Sequence, residues 1–374
     1  MKKILMLAWS FYPAQEGGPS NALYWLASGL VRLGHSMRVV TTDRFIEANS
    51  VPIDTWHKLN RFDVIYQSTS QPKTLMYNEV DKCDILFTDG VCKLDYFRLI
   101  GKALRSKKTV VLSPRGELMD AAIDHKGKIY GILKRIFFLF VKIRFGKRIW
   151  FHATSTEELN AIYKYFGRKA KARLIPNYMI LPEVQEEALL DVHRDYLLYV
   201  GRINHIKNLD ILIRGLYKSK CFMNSNIVLK IAGEARGEYY DSLLHIIESL
   251  NMHNKVQFLG VIVGDEKDKL YAGAKCSYLI SKSENFGNVV VESIRQGTPV
   301  VASKGTPWET LTEKSAGIWI DATEQSVAYA TDLMLSMNQE SYLRMRNNAY
   351  EYSSTFDVYS NLERWSDFIN KILE

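Results

Sequence analysis

KKILMLAWSFYPAQEGGPSNALYWLASGLVRLGHSMRVVTT, residues Lys2 to Thr42, reads as an apolar strand from Lys2 to Ala8, a break at Pro13, Gly17, Gly18 and Pro19, a helix-patterned stretch from Ser20 to Leu33 that stops at Gly34, and a second apolar strand from Met37 to Thr42. Apolar residues in consecutive rather than alternating positions mark strands covered on both faces. Strand, glycine loop, helix, strand is the opening of a doubly wound α/β unit.

Working outward, Val64–Gln67, Ile85–Thr88, Val110–Ser113 and Trp150–Thr154 are further strands separated by helix-length segments. The acidic stretch 179–194, with Pro182, suits a linker. The pattern then restarts with Tyr196–Val200, Ile227–Ala232, Val256–Gly260, Cys276–Ser281 and Pro299–Ala302. The fold class is therefore α/β, with two Rossmann-like doubly wound domains, 1–178 and 192–355, and a ligand cleft expected between them. A length of 374 residues agrees with two cores. No period of solenoid length recurs.

The net charge of +8 conceals a division. Residues 1–176 carry 29 Lys and Arg against 15 Asp and Glu, or +14; residues 177–374 carry 20 against 26, or −6. That asymmetry excludes a uniformly basic nucleic-acid coat and points to one half with an anionic partner. Lys126 to Trp150 alone holds eight bases and no acid. Four cysteines, Cys83, Cys92, Cys221 and Cys276, lie far apart with no CxxC spacing, which suggests neither a disulfide framework nor a zinc site and suits a reducing cytoplasm. The start imitates a secretory leader, yet it offers no good small-x-small cleavage site and runs into Gly17-Gly18, so it reads as a buried first strand. No apolar run approaches the ~20 residues needed to cross a bilayer.

The densest constellation is Ser283-Glu284-Asn285-Phe286-Gly287-Asn288 through Glu292, followed by Gln296-Gly297-Thr298-Pro299-Val300. A carboxylate at a strand end, then glycine and a helix start, turns free backbone N–H groups toward a ligand, with Glu292 about two turns along that helix. Spacing alone does not separate this from a glutamate loop with Gly287 as a mere cap. Arg202 sits just after a strand and Lys207 just before Asn208, a helix-cap residue, so two cations lie at the positive end of a helix dipole. An anion such as a diphosphate relieves that repulsion, Arg as a planar fork and Lys as a point charge. Gly17-Gly18 after the first strand lets a phosphate or sugar approach the backbone, but the loop is no full GxGxxG, which weakens a nicotinamide reading.

In this order Glu16-Gly17-Gly18-Pro19, Gly34-His35, Pro176-Asn177, Tyr199-Val200-Gly201-Arg202 with Lys207-Asn208, Ile231-Ala232-Gly233, Phe258-Leu259-Gly260, Glu284 and Glu292 with seven residues between them, and Gly297-Thr298-Pro299-Val300 resemble a family 4 glycosyltransferase of the GT-B fold over nearly the whole chain. The resemblance implies a first domain for the acceptor, onto which a C-terminal helix of about 356–374 crosses back, and a second for a UDP- or GDP-linked sugar. It implies that Glu284 contacts donor-sugar hydroxyls, Glu292 the ribose, and Arg202 and Lys207 the diphosphate. Gly17, Gly18, Phe286, Gly287 and Asn288 complete the donor set. It also implies retention of anomeric configuration, no metal and no cofactor beyond the nucleotide-sugar as co-substrate. No Asp-x-Asp motif or metal-ligand cluster is evident. Where many members place a histidine, Ser113-Pro114-Arg115-Gly116 has Arg115, assigned to a phosphate of acceptor or donor and counted with Glu284, Arg202 and Lys207 as catalytic; His125 and His152 read as structural.

On a wheel of about 100° per residue, Ile129, Ile132, Leu133, Ile136, Phe137, Phe140 and Ile143 share one arc and Lys128, Lys134, Arg135 and Lys142 the other, with Phe138 amid the cations. The apolar arc is expected to pack on the first domain, leaving Lys134, Arg135, Phe138 and Lys142 to bind an anionic membrane surface. The expectation is a peripheral enzyme on the inner face of the cell membrane, working on a saccharide or polyprenyl-diphosphate-linked acceptor in bacterial surface polysaccharide (lipopolysaccharide, capsule or exopolysaccharide) biosynthesis. A nucleotide-sugar epimerase of the same fold and a non-catalytic sugar-nucleotide binder are the alternatives.

Overall fold

The computed structural model describes residues 1–14, 18–47, 50–68, 74–91, 93–123, 127–185 and 195–374. Gly17, Glu16 and His125 of the preceding section lie outside them. The described residues divide into two compact units, Met1–Ile180 with Asp357–Glu374, and Leu181–Phe356.

The first unit runs β1 (Lys3–Leu7), α1 (Gly18–Arg32), β2 (Ser36–Thr42), β3 (His57–Leu59), β4 (Phe62–Gln67), α2 (Thr74–Lys82), β5 (Ile85–Asp89), α3 (Leu94–Arg105), β6 (Thr109–Ser113), α4 (Asp120–Ile123), α5 (Lys128–Phe145), β7 (Trp150–Ala153), α6 (Thr156–Phe166) and β8 (Lys171–Leu174). Its sheet has the order β3-β4-β2-β1-β5-β6-β7-β8, parallel except where β3 meets β4. β1 explains the apolar run that opened the sequence. Leu5 and Leu7 enter the core on one face of the sheet and Ile4 and Met6 the core on the other. With both faces covered from Ile4 to Leu7, all four positions are apolar.

The second unit runs β9 (Tyr196–Val200), a 3₁₀ turn (His205–Lys207), α7 (Leu209–Lys218), α8 (Lys220–Met223), β10 (Val228–Ala232), α9 (Glu238–Ser249), β11 (Val256–Gly260), α10 (Gly264–Ala272), β12 (Ser277–Leu279), α11 (Asn288–Arg295), β13 (Val300–Ser303), α12 (Thr310–Glu313), β14 (Gly317–Ile320), α13 (Glu324–Ser336) and α14 (Gln339–Ser353). Its sheet is all parallel, in the order β11-β10-β9-β12-β13-β14. The segment after Leu181 is no free linker where it is described: Arg295 Nε donates to Pro182 O at 3.2 Å, Gln296 Nε2 to Glu183 O at 2.6 Å, and Gln185 N to Gln296 Oε1 at 3.0 Å.

The closing helix α15 (Leu362–Leu373) belongs to the first unit, where Trp365, Phe368, Ile369 and Ile372 join Leu23, Leu26 and Leu30 of α1 in one core. Gly29 makes this approach possible: a Cβ there would lie 3.0 Å from Leu362 and 3.1 Å from Val358.

α5 overturns the wheel reading. Phe138 is fully buried, its ring 5.2 Å from that of Tyr165 and 6.4 Å from that of Phe166. The arc expected to pack inward is instead outside, with Ile129, Ile132, Leu133, Ile136, Phe140 and Ile143 all more than half exposed, joined by Leu139. The cause is shape rather than apolar count. Gly131, Phe138, Val141 and Phe145 form the buried stripe, and the glycine one i+7 step before Phe138 removes bulk on the face that Phe138 plugs. Lys134 does not point to solvent as a free charge either: its Nζ donates to Ala122 O at 2.8 Å and lies 5.0 Å from the Tyr130 ring. Arg135 and Lys142 are half-buried.

Candidate functional site

The chain leaves β9, builds β10 and β11 on one side and returns to β12 on the other, so the strand order reverses between β9 and β12. Crevices at such reversals, at the carboxyl ends of the strands, are where open α/β sheets hold ligands. Three bonds tie the loop after β9 to the loop after β12. Lys282 N donates to Ile206 O at 2.8 Å, Asn208 Nδ2 to Ile280 O at 2.9 Å, and Lys207 Nζ to Glu284 Oε2 at 2.5 Å. Asn208 corrects its expected role as a cap. It is buried, takes a left-handed φ of 52°, and spends its side chain on the neighbouring strand, while Asn204 caps the 3₁₀ turn through Ile206 N.

This placement joins Lys207 and Glu284, with Tyr199 between Glu284 and Arg202 as a neighbour of both. Glu284 Oε2 also accepts from Ser281 Oγ at 3.1 Å, and the Lys207 and Glu284 side chains keep 14% and 20% of their surface in solvent. Arg202 is exposed and makes no salt bridge among the described residues; its carbonyl accepts from Tyr199 Oη at 2.8 Å. Burial beside Glu284 pushes the Tyr199 phenol far up, so it stays a neutral donor. Gly201 and Gly233 are packed backbone to backbone, a Cβ on Gly233 falling 2.1 Å from Gly201 O. That contact sets the Arg202 loop on the end of β10.

Gly287 precedes α11 with a φ of 84°, where an added Cβ would meet Leu279 at 2.8 Å, and Asn288 is the first helical residue. Phe286 departs from the reading as a donor contact: its ring is buried, 5.3 Å from Trp308 and 5.9 Å from Phe356, and its carbonyl accepts from Trp308 Nε1. An aromatic cluster has drawn the ring inward, so Phe286 fixes the loop and leaves only backbone to a ligand. Glu292 is nearly buried. Its Oε1 accepts from Lys267 Nζ at 2.9 Å and its Oε2 from Tyr271 Oη at 3.2 Å. Lys267 and Tyr271 were not singled out from sequence, although their i, i+4 spacing places them on one face of α10. Burial, with Glu292 nearby, lifts the Asp268 carboxyl to about 6.

In the first unit, Gly18 opens α1. Arg115, just past β6, is turned inward rather than toward a ligand. Its Nη1 donates to Asn177 Oδ1 at 3.2 Å, its Nε lies 3.6 Å from Asp89 Oδ1, and the side chain is 7% exposed. Burial lowers its pKa while Asp89 and Glu158 raise it. Its φ of 48° re-aims the chain there. Glu158 Oε1 accepts from Gly116 N at 2.6 Å, and Oε2 from Thr154 N and Oγ1 at 2.7 and 2.8 Å. His152 lies between Ser113 Oγ at 2.8 Å and Ile175 O at 2.9 Å, and burial, then Arg115, pushes it down to about 3. It is a neutral, structural ring that donates Nε2–H to Ile175 and accepts the Ser113 hydroxyl at Nδ1.

Among the described residues no group of three or more His, Cys, Asp or Glu is placed to hold a metal ion, and no helix is long and apolar enough to cross a membrane.

Residues 182–352 match the family described as glycosyl transferases group 1. An uncharacterized glycosyltransferase of Methanocaldococcus jannaschii is 25% identical over 378 residues, covering 89% of each chain. Among solved structures, Anabaena HepE in complex with UDP-glucose superposes with a TM-score of 0.74 at 19% identity, covering 99% of this chain and 100% of that one. WaaG, a glycosyltransferase involved in lipopolysaccharide biosynthesis, does so with a TM-score of 0.69 at 16% identity, covering 98% and 99%. Residues 182–352 thus carry the match to the group 1 glycosyl transferases, and the two parallel doubly wound sheets share the GT-B fold of HepE and WaaG.

Proposed function

We propose that this glycosyltransferase transfers a sugar from a UDP- or GDP-linked donor, with retention, to a saccharide acceptor on a polyprenyl diphosphate lipid, at the cytoplasmic face of the membrane, in surface polysaccharide assembly. The UDP-glucose bound by HepE and the involvement of WaaG in lipopolysaccharide biosynthesis support the donor class and the setting. The observation that carries the donor reading is the Lys207–Glu284 pair beside exposed Arg202.

Lys207 holds one carboxylate, and a diphosphate outcompetes that carboxylate for it, with Arg202 as a second cation, because the diphosphate carries more charge and more acceptor oxygens. Lys207 then passes from Glu284 to the diphosphate, and Glu284, still held by Ser281, is freed to accept a donor-sugar hydroxyl. Glu292, fixed on both oxygens, is oriented for the ribose hydroxyls. As the anomeric C–O bond to the diphosphate breaks, Arg202 and Lys207 stabilise the charge that grows on the leaving oxygen. The acceptor hydroxyl attacks the same face, and its proton ends on the departing diphosphate. Metal and cofactor have no part in this scheme.

Thermal melting against UDP- and GDP-linked sugars tests it. A matching donor raises the melting temperature by mass action, and Lys207→Ala removes the rise. If no nucleotide-sugar shifts the melting temperature, the donor reading falls. Conversion of the nucleotide-sugar without acceptor would favour an epimerase, and donor binding without turnover, acceptor present, a non-catalytic binder.

A further inference from the structure

We infer that α5 seats its outward apolar face in the interfacial layer of an anionic lipid bilayer, holding the first unit flat on the membrane. This deepens the reading of a membrane-borne acceptor and rests on it for its purpose; vesicle binding is measured apart from donor binding, so the two fail separately.

Between Ile129 and Ile143, seven large apolar side chains are 52% to 79% exposed. Advanced by about 100° per residue they fill one unbroken arc of about 120°. The band runs from Ile129 to Ile143 of this 18-residue helix, so it is about 21 Å long. A contiguous apolar band of that extent marks an interaction surface rather than scattered exposure. The helix is also a rigid platform: Phe138, Val141 and Phe145 anchor its other side in the core of the first unit.

Charge decides the occupant. Lys128, Arg135 and Lys142 border one edge of the arc and Arg144 the other, Lys147 and Arg148 follow exposed, and no acid occurs from Lys126 to Trp150. A second copy docking by this face would bring Lys128, Lys142 and Arg144 against the same bases, whereas anionic headgroups answer them while the acyl boundary takes the aliphatic band. The same charges keep the helix from crossing the bilayer. Topology adds an orientation. α5 is the crossover from β6 to β7, so it starts at the sheet edge that carries Arg115, and Ile129, Ile132 and Leu133 draw that edge toward the headgroups.

Flotation of the full chain with vesicles of phosphatidylcholine, and of phosphatidylcholine with phosphatidylglycerol, tests the inference. Wild type is expected to float with the anionic vesicles only, less so as salt rises. Ile136→Glu/Ile143→Glu should lose more than about tenfold in vesicle affinity with an unchanged melting temperature, because both side chains already face outward. Lys128→Glu/Arg144→Glu should weaken binding and flatten its salt dependence. Equal flotation of wild type and Ile136→Glu/Ile143→Glu overturns the inference. So does a wild type that ignores both vesicles, or one that is a dimer in solution and becomes monomeric in that variant. Wild-type flotation lost in the variant, with no nucleotide-sugar altering melting, upholds the membrane face and removes the donor reading alone.

Discussion

Each unit gathers charge at the carboxyl edge of its sheet, but the two clusters are finished differently. In the first unit Arg115, Asp89 and Glu158 answer one another, Asn177 takes an Nη1 hydrogen of Arg115, and His152 is closed between Ser113 and Ile175. In the second unit Lys207 makes a single ion pair, part of Glu284 remains wet, and Arg202 is exposed without a salt bridge among the described residues. A closed cluster holds a backbone; an open one can exchange a protein carboxylate for a ligand anion. Burial of charge is thus no sign of a catalytic role by itself.

Substituting the closed cluster should show first as lost stability. Arg115→Ala takes one of two cations from Asp89, which keeps Lys93 at 3.7 Å, and leaves buried Glu158 to its hydrogen bonds alone, for which a loss of about 1–3 kcal/mol is expected in chemical denaturation. Donor affinity of the fraction that remains folded should change little. A stable Arg115→Ala protein with a raised donor or acceptor Michaelis constant would instead return Arg115 to the ligand-binding group. Lys207→Ala should invert that pattern, with turnover down by about 10²–10³ at saturating donor, worth about 2.7–4 kcal/mol in the transition state, and little change in melting temperature. Wild-type turnover in Lys207→Ala would mean that the open pair is only a surface contact.

The closed cluster also predicts an acid limb. His152 titrates at about 3 in the folded protein against 6.5 for the free ring. Between those values the unfolded chain binds a proton that the native state refuses. Stability is therefore complete above 6.5 and falls as pH drops, by about 1.4 kcal/mol per unit from this group. His152→Asn should be less stable near neutrality yet flatter from pH 6 to pH 4. An identical slope in both proteins would place the acid sensitivity elsewhere.

The open cluster was the more legible of the two in the sequence, and the reason is physical. Arg202, Lys207, Glu284 and Glu292 stand at strand and helix ends, where local pattern assigns position. Fully covered strands such as β1 and β9 show as uninterrupted apolar runs. β8, KARL, is partly exposed along its length, and β3 and β14 have three and four residues, too few for a period. What local pattern could not supply is which partner lies across the sheet. Asp89 with Arg115 and Lys267 with Glu292 are joined by topology. α5 fails for a related reason: it is apolar nearly all round, so the buried side was chosen by the fit of Phe138 against Tyr165 and Phe166, and the more numerous aliphatic arc was left outside.

The finest test lies within the second unit, between its two lysine–glutamate pairs. Lys207–Glu284 must open for the diphosphate, whereas Lys267–Glu292 has no reason to open, since Tyr271 already holds the second oxygen of Glu292 and burial keeps that phenol protonated. Lys267 is then a positioning residue whose removal leaves Glu292 with one remaining donor. The side chain of Lys267 is 24% exposed, so the pair is partly screened. A pair of that kind is worth about 0–1 kcal/mol, and Lys267→Met should raise the donor Michaelis constant less than about fivefold with turnover unchanged. Tyr271→Phe should do the same, and the double variant should exceed the product of the two, because only then is the ribose carboxylate without a fixed geometry. A fall in turnover in either single variant would place Lys267 or Tyr271 against the diphosphate instead, and would make the second pair as exchangeable as the first.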